Sequence, residues 1–576
     1  MFDIIIKGGK LIDGTGSEPR SVDVGVKADS IEAIGDLSEH TALTVIDASS
    51  QVVTPGFIDM HSHADQTVLE YPRAESCIAQ GITTSVGGNC GFSQAPLRNH
   101  WVMCFWEWNW WDEVAPRKYY TEPVGDLKKA KQAALASDGL EIDWSSFGEW
   151  LERVERARPG VNVVPLVGHS TIRGAVMGDD YRRHATESEI VQMKRHVAEA
   201  MDSGAFGISD GLDYAPNSYC SENESLEVIG EAARRGGLYA SHWRRTGLRE
   251  GFGNPGLADG IRQAIEIARK TGAKLELAHL SLGYLTAPRQ TPKISVAAAE
   301  ETLHILDTAL NEGVDLTFDC IPNNSGGVLQ AKYLAAMLTP WLREAGSLEQ
   351  FAKNLAAPDL RREIREFILS GRWYNLNPVT NPGWASGVRV LSSSLAQYEG
   401  LTLPEVAQSR GQDALDALMD VVMLDPHTRS GQVAGSDEWK RVFYKHPLAM
   451  VGVDVFLLDD TYEVKVPPYF LPHANTYGGM ARFLKHYALG LLGLEEGIRR
   501  LTSLPAQTLG LKERGVIKEG YKADIVVFSP DAVTDTGDDA EPRRYPKGFS
   551  HVIVNGSIAL KDGTFVHNRT GQVLRK

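Results

Sequence analysis

The stretch Gly56–Asp65, GFIDMHSHAD, ends an apolar run that begins at Val52, and it carries two histidines, His61 and His63, one residue apart. Alternate side chains of a β-strand point to the same face, so both imidazoles leave the strand end in one direction. Neutral imidazole is the commonest metal ligand in proteins. The stretch therefore predicts a strand that delivers two metal ligands, although two surface histidines at a strand edge would look the same unless other strand ends add ligands.

The size and charge of the chain limit the classes of function. It has 576 residues, 43% of them hydrophobic, which is too long for one ordinary domain unless that domain is a large barrel. Its 59 lysines and arginines face 74 acidic residues, and this net charge of -15 disfavours a nucleic-acid or anionic-membrane partner. We expect a small-molecule partner instead.

Sparse cysteines and short apolar runs bear on the cellular compartment. The apolar run after Met1 is too short for a signal peptide, and no run approaches the roughly twenty residues that span a bilayer. The five cysteines are scattered along the chain. These features are typical of a reduced, cytoplasmic protein that does not enter a membrane.

Apolar strand-like runs alternate with helical patterns through the middle of the chain, which is typical of repeated βα units around a parallel sheet. The eight runs are VVTPGFIDM, GITTSVGGN, VNVVPLVGH, AFGISDGL, GLYASHW, KLELAHL, VDLTFDC and PLAMVGVDV. Eight such units predict a (β/α)8 barrel. An open doubly wound sheet is the alternative, but it would not bring the first and last strands together.

The predicted domain organisation follows from the same pattern. We place the barrel at residues 55–514, with inserts at about 92–147 and 322–446 that interrupt its rhythm. Residues 1–54 and 515–576 are short strands separated by Gly, Asp, Ser and Asn turns. We expect these two ends to build one small β-sandwich.

Metal-binding residue types stand at the predicted carboxyl ends of the barrel strands, where chemistry takes place in such barrels. They are His61, His63, Cys90, His242, His279 and Asp454. Zn²⁺ takes nitrogen, sulfur and carboxylate ligands and needs several of them to converge. Each residue alone could be a buried core histidine, a small buried cysteine or a strand cap, but together they predict a metal site.

These residues resemble those of the amidohydrolase superfamily and, within it, the D-aminoacylase (N-acyl-D-amino-acid deacylase) family. GFIDMHSHAD is similar to the family's metal-binding His-x-His, SVGGNCG to its bridging-cysteine strand, and GHSTIRGAVMG and GAFGISDGLDYAP to its next two strands. YASHWR, LELAHL and VGVD resemble the remaining ligand positions, and the tail LPAQTLGLKERGVIKEGYKADIVVF matches as well. The resemblance covers nearly the whole chain.

The resemblance implies a distorted barrel with a β-sandwich and a zinc enzyme. It implies one tightly held zinc on Cys90, His242 and His279, with a weaker second position near His61, His63 and Asp454. Many relatives in the superfamily bridge two metals with a carboxylated lysine on the fourth strand, and AFGISDGLDY contains no lysine. Cys90 is the bridge that remains.

Departures from the family pattern concern the substrate. In the family, a lysine after the second zinc histidine and an arginine in a HisProArg run bind the amino-acid carboxylate. Here those places hold Ser281 and, beside His473, Asn475. Because an ammonium and a planar bidentate donor are the groups best suited to a carboxylate, a plain N-acyl-D-amino acid is disfavoured unless Arg244 or Arg245 substitutes for them.

We therefore predict a zinc-dependent amidohydrolase that cleaves a linear amide, with Asp454 as the base and acid that moves the proton. The alternatives are an N-acyl-D-amino-acid deacylase proper, a hydantoinase-like hydrolase of cyclic amides and a non-catalytic scaffold on the same fold. The run HWVMCFWEWNWW holds five of the twelve tryptophans. Trp106 and Trp108 are predicted to line a pocket for a bulky or aromatic group, and a homo-oligomer interface is the alternative for this run.

Overall fold

A computed structural model describes residues 1–103, 107–110, 123–245, 257–284, 291–323, 327–371, 373, 376–378, 382–433 and 435–576. Eight parallel strands form one sheet in which neighbours along the chain are neighbours in space. They are Phe57–Asp59, Ile82–Gly87, Asn162–Gly168, Gly207–Gly211, Leu238–His242, Lys274–Leu277, Leu316–Cys320 and Ala449–Val451. Each lies within one of the eight predicted runs, and the strands are almost wholly buried, as expected of a parallel sheet covered on both faces.

Backbone hydrogen bonds bring the first and last of these strands together. The Met60 N–H donates to the Val451 carbonyl at 3.3 Å, and the Asp454 N–H donates to the His61 carbonyl at 2.7 Å. The Asp59 carboxylate adds a bridge, since it accepts from the backbone N–H groups of His61 and Val453 at 3.2 and 3.0 Å. The sheet is therefore a nearly closed barrel, and the predicted (β/α)8 fold is confirmed.

Helices follow the barrel strands and pack outside them. They are Ala64–Thr67, Glu75–Ile78, His169–Met177, Glu187–Asp202, Glu222–Arg234, Leu257–Thr271, Pro292–Asn311, Asn475–Phe483, Leu494–Leu501 and Ser503–Leu509, with a π-helix at Leu484–Leu492. Helix Glu187–Asp202 shows why they start where they do. The Thr186 hydroxyl accepts from the Glu189 N–H while the Glu189 carboxylate accepts from Thr186, a reciprocal cap on free N–H groups. Among the described residues, none of the helices has the length and apolar content needed to cross a bilayer.

The chain ends form two further sheets. One contains Ser30–Gly35, Asp23–Lys27, Phe2–Lys7 and Ala42–Asp47; the other contains Thr564–Phe565, Ser557–Lys561, Phe549–Val554, Ile525–Phe528, Val52–Pro55, Lys10–Leu11 and Arg20–Ser21. In the second sheet, Ile525–Phe528 pairs with Val52–Pro55, the strand that leads into the barrel. Side chains of both sheets share one apolar cluster that includes Ile4 and Val527. The predicted β-sandwich and the predicted domain limits remain predictions.

The inserts add their own elements. The first contains His100–Val102, Glu107–Asn109, Val124–Asp126, Leu127–Asp138 and Phe147–Ala157. The second contains strands Leu329–Ala331, Val388–Ser392 and Arg429–Gln432 and helices Leu334–Leu338, Thr339–Ala345, Leu348–Asn354, Pro358–Leu369, Trp384–Gly387, Ala396–Tyr398, Leu403–Arg410, Ala414–Leu424 and Glu438–Lys445. Short elements outside these are Gly178–Asp180, Asn217–Tyr219 and Phe470–Pro472. The second insert has a separate apolar core that contains Leu342, Phe351 and Leu418.

Candidate metal centre and active site

Cys90 follows the second barrel strand and lies at the centre of a cluster of imidazoles. Its Sγ lies 3.3 Å from His61 Nε2, 3.3 Å from His242 Nδ1 and 3.5 Å from His279 Nε2. The first, second, fifth and sixth strands supply these four buried side chains. Sulfur and nitrogen donors in this arrangement are the ligands that zinc prefers.

Asp454 follows the eighth strand and stands beside two of the histidines. Its Oδ1 lies 3.3 Å from His63 Nε2 and 3.6 Å from His61 Nε2. Gly452 makes this approach possible, because a Cβ there would lie 2.3 Å from Asp319 Oδ1 and 2.5 Å from the Cβ of His61. The eighth strand can thus lie directly against the first.

Three of these residues hold a backbone conformation that is unfavourable for residues with a side chain. The φ angles are 57° at Cys90, 35° at His279 and 53° at Asp454, all in the left-handed region. Such strain is stored at functional sites when the surrounding structure enforces it. Here it aims three donor side chains at one point from three different strand ends.

The donor atoms form two overlapping groups in which all atoms lie within 4.8 Å of one another. One group is His61, Cys90 and His279, and the other is His61, His63 and Asp454. His61 belongs to both. His242, predicted as a ligand together with Cys90 and His279, lies against the Cys90 sulfur, but its Nε2 is 2.7 Å from Arg245 Nη2. The division of the six residues between a tight and a weak position stays a prediction.

Electrostatics at the cluster favour a bound cation. Burial alone would raise the pKa of the Cys90 thiol, but the charges of His61 and His242 hold this pKa well below its ordinary value. A lowered pKa favours the thiolate, which is the form of cysteine that binds metals. Burial lowers the pKa of His279 to about 4, which keeps that imidazole neutral. Although burial opposes it, hydrogen bonds with Asp454 and Cys90 raise the pKa of His63 to about 9. The negative groups thus attract positive charge, which a metal ion can supply in place of a proton.

Residues behind the ligands orient them. Asp319 Oδ2, at the end of the seventh strand, lies 3.6 Å from His61 Nδ1, and both side chains are fully buried. Tyr214 donates to the Cys90 carbonyl oxygen at 3.1 Å, and its hydroxyl lies 3.2 Å from His242 Nδ1. Outer contacts of this kind fix the ring orientation of ligating histidines.

The cluster opens into a cavity of about 550 Å³. Its metal end is formed by His63, Cys90, His242, His279 and Asp454, next to Tyr214 and Arg245. The remaining wall comes mainly from the second insert and is lined by Trp108, Gly327, Val328, Leu329, Gln330, Ala331, Met337, Trp384, Gly387, Val388, Ser430, Gly431, Gln432, Val433, Phe470 and Asp539. A cavity of this size, with polar groups at the metal end and apolar and aromatic side chains along the wall, suits a small organic molecule.

The predicted substrate contacts lie in different places. Trp108 is buried and lines the cavity, with its ring 5.4 Å from that of Phe470. Trp106 lies outside the described residues.

The other four predicted contacts, Arg244, Ser281, His473 and Asn475, are not among the described lining residues of the cavity. Arg244 donates towards Gln263 Oε1 and the Ser218 carbonyl, both at 3.4 Å, and Asn475 donates to the Val453 carbonyl at 3.1 Å. Their participation in substrate binding remains a prediction.

Sequence reasoning missed several cavity residues. Tyr214 lies in the quoted stretch GAFGISDGLDYAP just after the fourth strand, so its position at a strand end was a usable signal. Trp384, Gln330 and Asp539 come from the insert and from the tail, and nothing in their local sequence marks them as neighbours of the metal end. Only tertiary contacts bring them there.

Comparisons with known proteins agree with this geometry. The model of the Amidohydrolase family matches residues 44–302 and 453–559, together more than half of the chain. D-aminoacylase of Alcaligenes xylosoxydans xylosoxydans is 30% identical over 577 residues, covering 100% of this chain and 98% of the relative.

Two crystal structures are similar over the full length of both chains. One is a D-aminoacylase described as defining a novel subset of amidohydrolases, with 28% identity and a TM-score of 0.69. The other is the N-acyl-D-glutamate deacylase of Bordetella bronchiseptica in complex with zinc and a phosphonate inhibitor that mimics the tetrahedral intermediate, with 27% identity and a TM-score of 0.69. The protein is a metal-dependent hydrolase of carbon–nitrogen bonds other than peptide bonds. The chain belongs to the amidohydrolase family.

Proposed function

We propose that the enzyme uses zinc to deacylate a linear amide that carries a bulky apolar or aromatic group. The observation that carries this proposal is the position of the Cys90 and histidine cluster at one end of a large cavity with aromatic walls. The printed functions of the relatives, D-aminoacylase and N-acyl-D-glutamate deacylase, support cleavage of an N-acyl bond.

The donor set fits zinc. Cys90, His242 and His279 would hold one ion, and His61, His63 and Asp454 would form a second position, with His61 Nε2 3.3 Å from the Cys90 sulfur that joins the two. His61 and His279 turn their Nε2 atoms towards the Cys90 sulfur, at 3.3 and 3.5 Å, so both rings offer a nitrogen donor at the same place. When bound, a zinc ion polarises the amide carbonyl and lowers the pKa of the attacking water towards roughly 7.

Asp454 is the residue that moves the proton in this proposal. Its carboxylate lies in the cavity beside His63. Burial would raise its pKa, but the hydrogen bond with His63 and the charge of His61 lower it below its ordinary value, so it is ionised and can accept a proton from the attacking water. The same carboxyl then gives that proton to the leaving nitrogen.

Two further side chains can contact the reacting amide. The Tyr214 hydroxyl lines the cavity next to His242, and rotation of its O–H away from the Cys90 carbonyl would make it a donor for a substrate carbonyl oxygen on which negative charge develops. Arg245 also lines the cavity, and its backbone N–H is fixed by Asp213 Oδ1 at 3.1 Å. Because Arg245 is the arginine at the metal end, we assign to it, rather than to Arg244, any carboxylate of the substrate.

Trp108, Trp384 and Phe470 in the cavity wall support a substrate with a bulky apolar or aromatic group. Hydrolysis of cyclic amides is the second candidate. The fourth strand, Gly207–Gly211, contains no lysine that could bridge two metals, and this counts against the cyclic-amide candidate.

A substrate panel with metal analysis tests the proposal. Zinc-loaded enzyme is assayed on linear amides with acetyl and with aromatic acyl groups, with and without an α-carboxylate, beside hydantoins and cyclic imides. We expect the highest kcat/KM on a bulky linear amide, lost after chelation and restored by zinc. Turnover confined to the cyclic compounds, or full turnover after complete metal removal, would contradict the proposal. The cytoplasmic location and a homo-oligomeric state remain predictions from the sequence.

A further inference from the structure

Asp539 lines the cavity although it belongs to the chain's C-terminal part. It lies between strands Ile525–Phe528 and Phe549–Val554 of the terminal sheet, in a connection that extends to the second insert. Three hydrogen bonds hold it there. The Gln432 N–H donates to Asp539 Oδ2 at 2.7 Å, Gln330 Nε2 donates to the Asp539 carbonyl oxygen at 3.0 Å, and Arg429 Nη2 donates to the carbonyl oxygen of Ala540 at 2.6 Å.

This carboxylate faces the cavity, and its charge is not paired within the described part of the chain. Among the described residues, no lysine or arginine forms an ion pair with it, and the side chain accepts from one neutral peptide N–H. Burial raises the pKa of the Asp539 carboxyl, and the Gln432 N–H offsets only part of this effect. A carboxylate that is partly removed from water and has no ion-pair partner is stabilised when a cation binds beside it.

Aromatic rings share the wall with Asp539. Trp108, Trp384 and Phe470 line the same cavity, with the Arg343 guanidinium already 5.0 Å from the centre of the Trp108 ring, and Val328, Met337 and Val433 add apolar surface. Aromatic faces attract alkylammonium and guanidinium groups, while apolar surface accommodates the methylene chain that carries them. The wall therefore suits a long apolar chain that ends in a positive charge.

We propose that Asp539 selects substrates whose bulky part ends in a cationic group, an alkylammonium or a guanidinium. The inference deepens the proposed amide hydrolysis and rests on it for the identity of the reacting bond. Asp539 is a specificity-determining residue here and has no part in the chemical step. It belongs to the insert and tail wall of the cavity, whereas the reacting groups are those of the metal end.

Two pairs of substrates test the effect of a positive charge, one pair on the amine side of the amide and the other on the acyl side. Nα-acetyl-ornithine and N-acetyl-norleucine, in both hands, differ by an ammonium in place of a methyl group on the amine side. 6-Aminohexanoyl-alanine and heptanoyl-alanine differ in the same way on the acyl side. We expect the cationic member of one pair to have a kcat/KM roughly tenfold to a hundredfold above that of its neutral partner, as an ion pair partly removed from water can provide.

Asp539→Asn should abolish this preference and leave the neutral substrates unchanged, because the amide oxygen can still accept from the Gln432 N–H. Asp531→Asn is the matched control: it removes the same charge elsewhere in the same connection, on an exposed side chain that is not among the described lining residues. Equal loss on both members of a pair in Asp539→Asn would assign Asp539 a purely structural role. A wild-type preference for the neutral members in both pairs would overturn the inference.

Failure of the proposed function gives a different result. If neither pair is hydrolysed, nor any other linear amide, the amide-hydrolase proposal fails. Calorimetric binding of the same compounds then tests whether Asp539 recognises the cationic group. Tighter binding of the cationic compounds to wild type than to Asp539→Asn supports the inference. Equal binding to both proteins refutes it.

Discussion

The metal end of the cavity and its wall are built in different ways. The donors at the metal end sit at the ends of barrel strands, and Cys90, His279 and Asp454 share a left-handed backbone conformation that aims them inward. The wall comes largely from the second insert, which has an apolar core of its own. This difference indicates that the chemistry depends on the barrel, whereas the choice of substrate depends largely on the second insert, which folds around a separate core.

Asp454→Asn should produce the largest effect and test the metal end alone. We expect kcat to fall by roughly a hundredfold to ten-thousandfold, because the proton carrier is lost. Zinc content should stay close to that of wild type, since Cys90 and the histidines remain. Steady-state kinetics with elemental analysis check this, with Asp460→Asn, an exposed carboxylate of the same loop, as the control. Full activity in the Asp454 variant would remove the residue from the mechanism.

The second prediction separates the ligands within the metal end. Cys90→Ala should lose the bound zinc, whereas His61→Ala should weaken mainly the second position. Metal-to-protein ratios of the two variants, measured after dialysis, test this predicted difference in zinc content. Cys77→Ala is the matched control, because Cys77 is buried beside Ser85 and away from the cluster.

If Cys90→Ala and His61→Ala both lose the zinc, the result would instead match the group of donor atoms formed by His61, Cys90 and His279. That result would replace the division predicted from the sequence by a single site centred on His61.

The third prediction disturbs the wall without touching the metal end. Leu418 is fully buried in the core of the second insert, so Leu418→Ala should lower the insert's free energy of unfolding by ~2–5 kcal/mol. Denaturant unfolding followed by tryptophan fluorescence measures the change, and zinc content should not move. Leu424→Ala, an exposed leucine at the end of the same helix, is the control. Loss of zinc in the Leu418 variant would show that the two regions do not act separately.

The smallest expected effect concerns a single wall residue. Trp108→Ala should raise KM for a bulky amide by roughly tenfold, the loss that about 1.4 kcal/mol of aromatic contact represents. KM for a small acetyl amide and the zinc content should hardly change. Trp439→Ala, a tryptophan that is not among the described lining residues, is the control. If Trp108→Ala changes only the mass of the particle in solution, the tryptophan-rich insert is an oligomer interface.

The sequence by itself determined the barrel and the candidate ligands, because both depend on local patterns. Buried parallel strands appear as short apolar runs, and the side chains just after such runs meet at one end of a barrel. His61, Cys90, His242, His279 and Asp454 could therefore be named from their positions relative to eight runs. The motif spacing also carried the resemblance to the amidohydrolases.

Only the tertiary structure decided what surrounds those ligands. Arg244 and Arg245 are neighbours in sequence, yet Arg245 lines the cavity and Arg244 donates to Gln263 and Ser218 instead. Asp539 reaches the wall from the terminal sheet, more than a hundred residues along the chain from Gln432, which binds its carboxylate. Contacts of this kind depend on how loops and inserts pack against distant elements, and no local periodicity records that packing.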